Sequence, residues 1–372
     1  MAATVLPEPD TDPLAPRRNA SLIGHHSVEA LLAQAAQIGR LPHAVLLGGP
    51  RGIGKATLAF RFARWLLAGG GEAGQGLFAT APPTDLHVAP THPVAARIAA
   101  AGHADLLTVE RQWDPKRKRV RGEIIAEDAR GIADFFHRTS AEGGWRIALI
   151  DGAEEMNRTA ANAILKILEE PPRRSLLLLV SHAPGRLLPT IRSRCRSILM
   201  QPLGSEEVSQ LLAEHRPALD AGDRAALAAM AEGSIGRALD LADSGGLAQY
   251  RRLTRILDRL PALDWVEIHA LADSVARGED DAYRTLVDLL QDLLRRAAVS
   301  GAGGATDEDD AGRHLARIAS AAGLDAWIDT WDALRAHFAG ADALNFDRKQ
   351  TLLDAFIRLE RMAGWKGSAG VR

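Results

Sequence analysis

A glycine-rich run, Gly48-Gly49-Pro50-Arg51-Gly52-Ile53-Gly54-Lys55-Ala56-Thr57, follows a short apolar stretch and leads into an apolar helix-like segment. Gly49, Gly54 and Lys55 have the spacing of a phosphate-binding loop. Glycines there let backbone N–H groups curl around phosphate oxygens, the lysine neutralises them, and the helix N-terminus adds its dipole. The position after the lysine should carry a hydroxyl to hold Mg²⁺. It is Ala56, whose methyl group coordinates nothing. Thr57 comes one residue later, about 100° around a helix, able to touch a phosphate but badly aimed for a metal. A second apolar run, 146–150, ends in Asp151-Gly152-Ala153-Glu154. Asp151 is placed to face Mg²⁺, but Gly152 stands where a water-orienting glutamate would follow, and Glu154 is displaced by two residues. The candidate nucleotide-binding residues are Gly49, Gly52, Gly54, Lys55, Thr57 and Asp151. Nucleotide binding is expected and hydrolysis is not; the plain alternatives are a glycine-rich turn with an incidental lysine and an Asp151 that merely caps a turn.

Positioning these groups requires strands that end at a common edge. Short runs at 44–48, 105–110, 146–151, 175–181 and 197–201 are apolar throughout rather than alternating. That pattern suits strands buried on both faces of a parallel sheet. Helical patterns separate them, from Ser27 onward and again over 159–170, where Pro171-Pro172 stops the helix. The alternation predicts a doubly wound α/β domain. After Pro202 strand-like runs cease, and Ser205-Glu206-Glu207 reads as a helix cap with first-turn carboxylates. A small helical module extends to about 244. Beyond it Leu286, Leu289, Leu290, Leu293 and Leu294 recur at helical spacing, and 345–361 forms another amphipathic segment. Residues 1–20 read as a flexible tail, and loose stretches are expected at 69–85 and 300–312.

The 372 residues carry 45 Lys and Arg against 47 Asp and Glu, a formal charge of −2, so there is no global basic excess of an autonomous nucleic-acid binder. A local basic run, Lys116-Arg117-Lys118-Arg119-Val120-Arg121, could touch phosphates, though such runs are more often solvated hairpin tips. One cysteine, Cys195, excludes an internal disulfide and a four-cysteine zinc site. His87, His92 and His103 are too irregularly spaced in a Pro/Ala-rich stretch to form a zinc site. No apolar run approaches the ~20 residues of a membrane helix, and the N-terminus is not signal-like, so the chain is read as cytoplasmic with no membrane contact.

The segment Ala161-Asn162-Ala163-Ile164-Leu165-Lys166 running into Leu168-Glu169-Glu170-Pro171-Pro172, followed by Pro189-Thr190-Ile191-Arg192-Ser193-Arg194-Cys195, resembles the AAA+ clamp-loader family of bacterial DNA polymerase III. Ile23-Gly24-His25 and Arg40-Leu41-Pro42-His43-Ala44 fit it too. The resemblance implies an AAA+ P-loop domain with a parallel sheet over 21–202, a helical lid at 203–244 and an all-α collar at 245–372. Motor subunits of that family keep a hydroxyl after the lysine, a glutamate after the acidic residue and an arginine in Gly-Ser-x-Arg. Here the last motif reads Gly233-Ser234-Ile235-Gly236, with Arg237 rotated around the helix. All three hydrolysis markers are altered while Ser193-Arg194-Cys195 is intact.

By resemblance, Arg194 is an arginine finger acting in trans on ATP held by a neighbouring motor (tau/gamma) subunit. The chain is then a stator that assists ATP-dependent loading of a sliding clamp onto primer-template DNA, alongside a delta subunit, with little ATPase or polymerase activity of its own. The chemistry is that of a planar guanidinium matching charge spread over γ-phosphate oxygens. From spacing alone Arg194 reads first as a surface arginine at a sheet edge; the intact triplet in the family context reverses that order. Cys195 reads as a small buried hydrophobe. Two alternatives stay open: a self-sufficient AAA+ motor or helicase loader, and a nucleotide sensor unrelated to replication.

Overall fold

The computed structural model describes residues 12–70, 85–116, 119–276, 280–302, 317, 319, 323–344 and 346–364. Most of the loose stretches expected at 69–85 and 300–312 lies outside these residues, as do Arg117 and Lys118 of the basic run. Two compact units are present: residues 12–218 with 231–236, and 219–230 with 237 onward.

In the first unit five parallel strands form one sheet: β1 (Ala44–Gly48), β2 (Leu106–Val109), β5 (Arg146–Asp151), β6 (Ser175–Ser181) and β7 (Arg196–Leu199). Their order across the sheet is β2-β5-β6-β1-β7. Every residue of β1 and β6 is buried, as an all-apolar run in a doubly covered sheet requires. Alternate side chains go to opposite faces. Val45, Leu47, Ile147, Leu149, Leu176 and Leu178 join one core with α1 (His26–Gln37), α2 (Lys55–Leu67) and α3 (Pro93–Ala99). Leu46, Ala148, Ile150, Leu177 and Leu179 join the other with α4 (Ala126–His137) and α5 (Arg158–Glu169). This is the expected doubly wound α/β architecture with a parallel sheet.

The edge strand β7 departs from expectation. In β7 only Ile198 is buried and Leu199 is 68% exposed, because an edge strand lacks a neighbour on one side. An antiparallel pair, β3 (Trp113–Asp114) and β4 (Arg119–Val120), makes the hairpin around the basic run. Residues 12–20 lie along α2. Ala15 is buried, and the carbonyls of Asn19 and Ala20 accept hydrogen bonds from Arg64 and Arg61 on α2. These guanidiniums are themselves buried, so they hold the passing backbone in order to satisfy their donors. Burial and the neighbouring Arg61 push Arg64 down to about 10.

Among its described residues the second unit is helical, as expected. Helices at Gly246–Leu257, Trp265–Ala276, Asp280–Gly301, Leu324–Leu344 and Arg348–Gly364 supply its core. Leu286, Leu290, Leu293 and Leu294 are buried along one helix, and Trp327 donates its indole N–H to the Leu294 carbonyl at 2.9 Å. Glu360 accepts from the backbone N–H of Leu263 and the indole of Trp265.

Candidate functional site

Gly48 lies opposite Ser181, and Asp151 opposite Val180, so β1, β5 and β6 end together at one edge of the sheet. In open α/β sheets ligands sit at that carboxyl edge. The glycine-rich loop leaves β1 there and enters α2 at Lys55. Gly49, Gly52 and Gly54 have φ of 148°, 77° and 98°, left-handed or extended-positive values that a side chain resists. The loop is braced from outside: His25 Nε2 bonds the Ile53 carbonyl at 2.8 Å, and the Gly49 N–H donates to Ser181 O.

Lys55 is buried, and its ammonium donates to the Pro50 carbonyl across the loop. Burial lowers its pKa to about 8, against the opposing pull of Asp151 and Glu154. Asp151 is pushed up to about 6 by burial and by Glu110, with Lys55 acting the other way. Glu154 is not idle: its Oε1 accepts the His182 backbone N–H at 2.8 Å, tying the turn after β5 to the end of β6. Burial raises its carboxyl, but hydrogen bonding holds it below the ordinary value. Lys55, Asp151 and Glu154 thus form one electrostatic group. Thr57 sits half-buried on α2, one residue past the position that would face a metal.

Sequence reasoning missed Ser181 and His182. His182 Nδ1 is buried without a protein hydrogen-bond partner, while the Ser181 hydroxyl bonds the Glu154 carboxylate. An orphaned buried nitrogen of this kind asks for a polar occupant. The available signal was a polar pair closing the otherwise apolar run Leu176–Val180. The positive-φ glycines and Lys55 fit the phosphates of a nucleotide. The donor set for Mg²⁺ is poorer, with Ala56 offering a methyl and Asp151 held toward its neutral form.

The two other altered positions have structural causes. Gly152 has φ 74°, and a Cβ there would lie 2.6 Å from Glu155 Oε2. A glutamate at 152 would need a different turn. The Gly236 N–H donates to the Gly52 carbonyl at 3.0 Å, and a Cβ on Gly236 would meet Gly52 Cα at 3.0 Å. The segment at 233–236 therefore packs backbone to backbone on the phosphate loop, with Ser234 beside Gly52.

Arg194 lies elsewhere, just after the short helix α6 (Pro189–Arg192). Its Nη2 pairs with Glu169 Oε1 at 2.9 Å and its Nη1 donates to the Thr190 carbonyl at 3.1 Å. The side chain stays 36% exposed. Glu169, the last residue of α5, is a second missed group. Cys195 is half-buried against the α4–α5 core, and burial pushes its thiol up to about 11, which makes it an inert packing group. His92 caps α3 by accepting from the Val94 N–H, and His103 is buried. Among the described residues no helix is long and apolar enough to cross a membrane.

The Asp151 environment has a measurable consequence. Its pKa is about 6 folded against 3.8 for the ordinary group, so between pH 4 and 6 the folded chain keeps a proton the unfolded chain has released. Stability therefore falls as pH rises through that window. Asp151→Asn, which cannot ionise, is expected to melt higher relative to wild type at pH 7.5 than at pH 4.5. The differential is on the order of 1 kcal/mol after allowance for screening at a half-buried group. Equal differences at the two pH values in thermal melts would refute this.

Residues 24–204 match the family model described as DNA polymerase III, delta subunit. The chain is 39% identical over 167 residues to DNA polymerase III subunit delta' of Pseudomonas aeruginosa, covering 45% of each. It is 31% identical over 232 residues to DNA polymerase III subunit tau of Escherichia coli, covering 61% of this chain and 33% of that protein. The matched stretches span less than half the length of either relative. A DNA polymerase III gamma subunit-related protein of Thermotoga maritima aligns over 91% of this chain and 100% of its own at a TM-score of 0.38 and 17% identity.

Proposed function

We propose, given that the chain belongs to the delta-prime clamp-loader family of DNA polymerase III, that it is the stator of a clamp loader. In this role it supplies Arg194 in trans to ATP bound by an adjacent tau/gamma motor subunit. The delta subunit, the sliding clamp and primer-template DNA complete the assembly. The observation that carries the reading is the presentation of Arg194: its head is solvent-accessible yet held at two points, by Glu169 and the Thr190 carbonyl.

A guanidinium held in this way keeps donors free for a partner's γ-phosphate and loses little freedom on engaging it. At the chain's own loop the glycines, Lys55 and Thr57 would hold nucleotide phosphates, with Asp151 beside them. Hydrolysis there lacks a metal-binding hydroxyl at 56, a carboxylate at 152 and an arginine at 236. The Gly236–Gly52 hydrogen bond supports a loop that is structural first.

The test is steady-state ATPase in a reconstituted mixture of motor and delta subunits, sliding clamp and primed DNA, with and without this chain. Near-inactivity alone together with stimulation of the mixture is the expected result. Brisk hydrolysis by the chain alone would instead favour a motor subunit. Glu169→Gln removes the charge that braces Arg194 while leaving the guanidinium in place. It is expected to lower the stimulation by about 3- to 10-fold, since misplacing a catalytic group costs rate without abolishing it. Unchanged stimulation would remove Glu169 from the positioning role.

A further inference from the structure

We infer that Lys55 is a modification site: its ε-amine is acylated by acyl phosphates, whose phosphate group docks in the glycine-rich loop. The inference rests on the reading of that loop as a phosphate site. Lys55 is the first residue of α2, directly after the positive-φ glycines Gly52 and Gly54. Oxyanions settle where loop N–H groups and a helix N-terminus meet in this way. Arg51 is exposed at the lip of the loop and adds a second cation. The Lys55 side chain is buried, and its partner is the Pro50 carbonyl within the loop rather than a carboxylate.

That setting favours the neutral amine, which is the nucleophilic form. Burial lowers the pKa to about 8 and Arg51 pushes the same way, against Asp151 at the end of β5 and Glu154 just beyond it. His182, after β6, also lies within electrostatic reach. At pH 8 about half of Lys55 is then neutral, against roughly 0.4% of an ordinary exposed lysine. With an acyl phosphate docked, the amine nitrogen attacks the acyl carbon, and the bond from that carbon to the phosphate oxygen breaks. An amide forms and the amine proton leaves with the phosphate as hydrogen phosphate; nothing is oxidised or reduced. Acylation removes the lysine charge, so the modified loop loses its attraction for phosphates.

The experiment treats the full chain with acetyl phosphate and, separately, with acetic anhydride across a pH range spanning 8. Quantitative peptide mass spectrometry follows Lys55 against Lys116 and Lys166, which are exposed. The Lys55-to-Lys116 ratio is expected to be about 10-fold or more higher with acetyl phosphate, because the anhydride has no phosphate to hold it in place. The Lys55 rate should level off above its pKa of about 8 while the reference rates keep climbing. Asp151→Asn removes a charge that favours the ammonium, so it should move that midpoint to lower pH. Inorganic pyrophosphate and ATP should protect Lys55 and leave Lys166 unchanged. Equal ratios with the two reagents, or Lys55 slower than both references toward acetyl phosphate, overturn the inference. If ATP binds in equilibrium dialysis yet Lys55 stays unmodified, the phosphate loop stands and the acylation falls. If ATP does not bind and neither anion protects Lys55, the phosphate reading itself falls and takes the inference with it.

Discussion

On the proposed stator reading, Arg194→Ala is expected to lower hydrolysis at an adjacent motor site by about 10³-fold or more. The chain itself should stay folded, because the Arg194–Glu169 pair is exposed and such pairs contribute no more than about 1 kcal/mol. On that reading the loss belongs to the transition state, where charge on the transferring γ-phosphate would meet the donors that Glu169 and Thr190 leave free. Arg194→Lys is the sharper comparison. It keeps the charge but removes the planar fork, so it should recover little of the rate. Single-turnover hydrolysis with the variants in the reconstituted assembly separates these outcomes from the activity of other ATP sites. Rates within 3-fold of wild type for Arg194→Ala would leave the intact Ser193-Arg194-Cys195 turn without a catalytic role.

The second large effect is on stability. Gly49→Ala is expected to cost about 3 kcal/mol, from a strained φ of 148° and a Cβ that would lie 2.5 Å from the Met200 carbonyl oxygen. That oxygen is backbone at the end of β7 and has little freedom to retreat. Gly54→Ala is the control. Its φ of 98° is strained too, but its nearest neighbour, Leu22 Cδ1, lies at an ordinary 3.6 Å. It should cost about 1–2 kcal/mol, the strain alone. Chemical denaturation of both variants measures the difference. Equal losses would show that the close approach of the phosphate loop to β7 is softer than the distances imply.

Much of the fold was legible along the chain. All-apolar runs predicted strands β1, β5 and β6, and Pro171-Pro172 predicted the end of α5, because these depend on residues adjacent in sequence. Edge strands were over-read: a run such as 197–201 looks buried on both faces, yet Leu199 faces solvent, and only the strand order places β7 last. Arg61 and Arg64 read as ordinary helical arginines, and nothing nearby in sequence announces that they bind residues 19–20.

By itself the sequence determined the glycine-rich loop, its lysine, the missing hydroxyl and carboxylate, and an unaltered Ser-Arg-Cys turn, since each is a matter of residue type at a fixed local spacing. The tertiary structure decided what those residues touch. Gly152 and Gly236 read along the chain as simple losses; in space Gly152 has a positive φ of 74° and Gly236 packs closely on the Gly52 backbone, so a Cβ at either is strained or tight. Glu154, two residues from where chemistry would want it, instead ties β5 to β6 through His182. Glu169 reaches Arg194 only because α5 and the turn after α6 end side by side, although 25 residues separate them. Contacts of this kind depend on the approach of distant backbone segments, which burial of the two apolar faces of the sheet sets and local spacing does not.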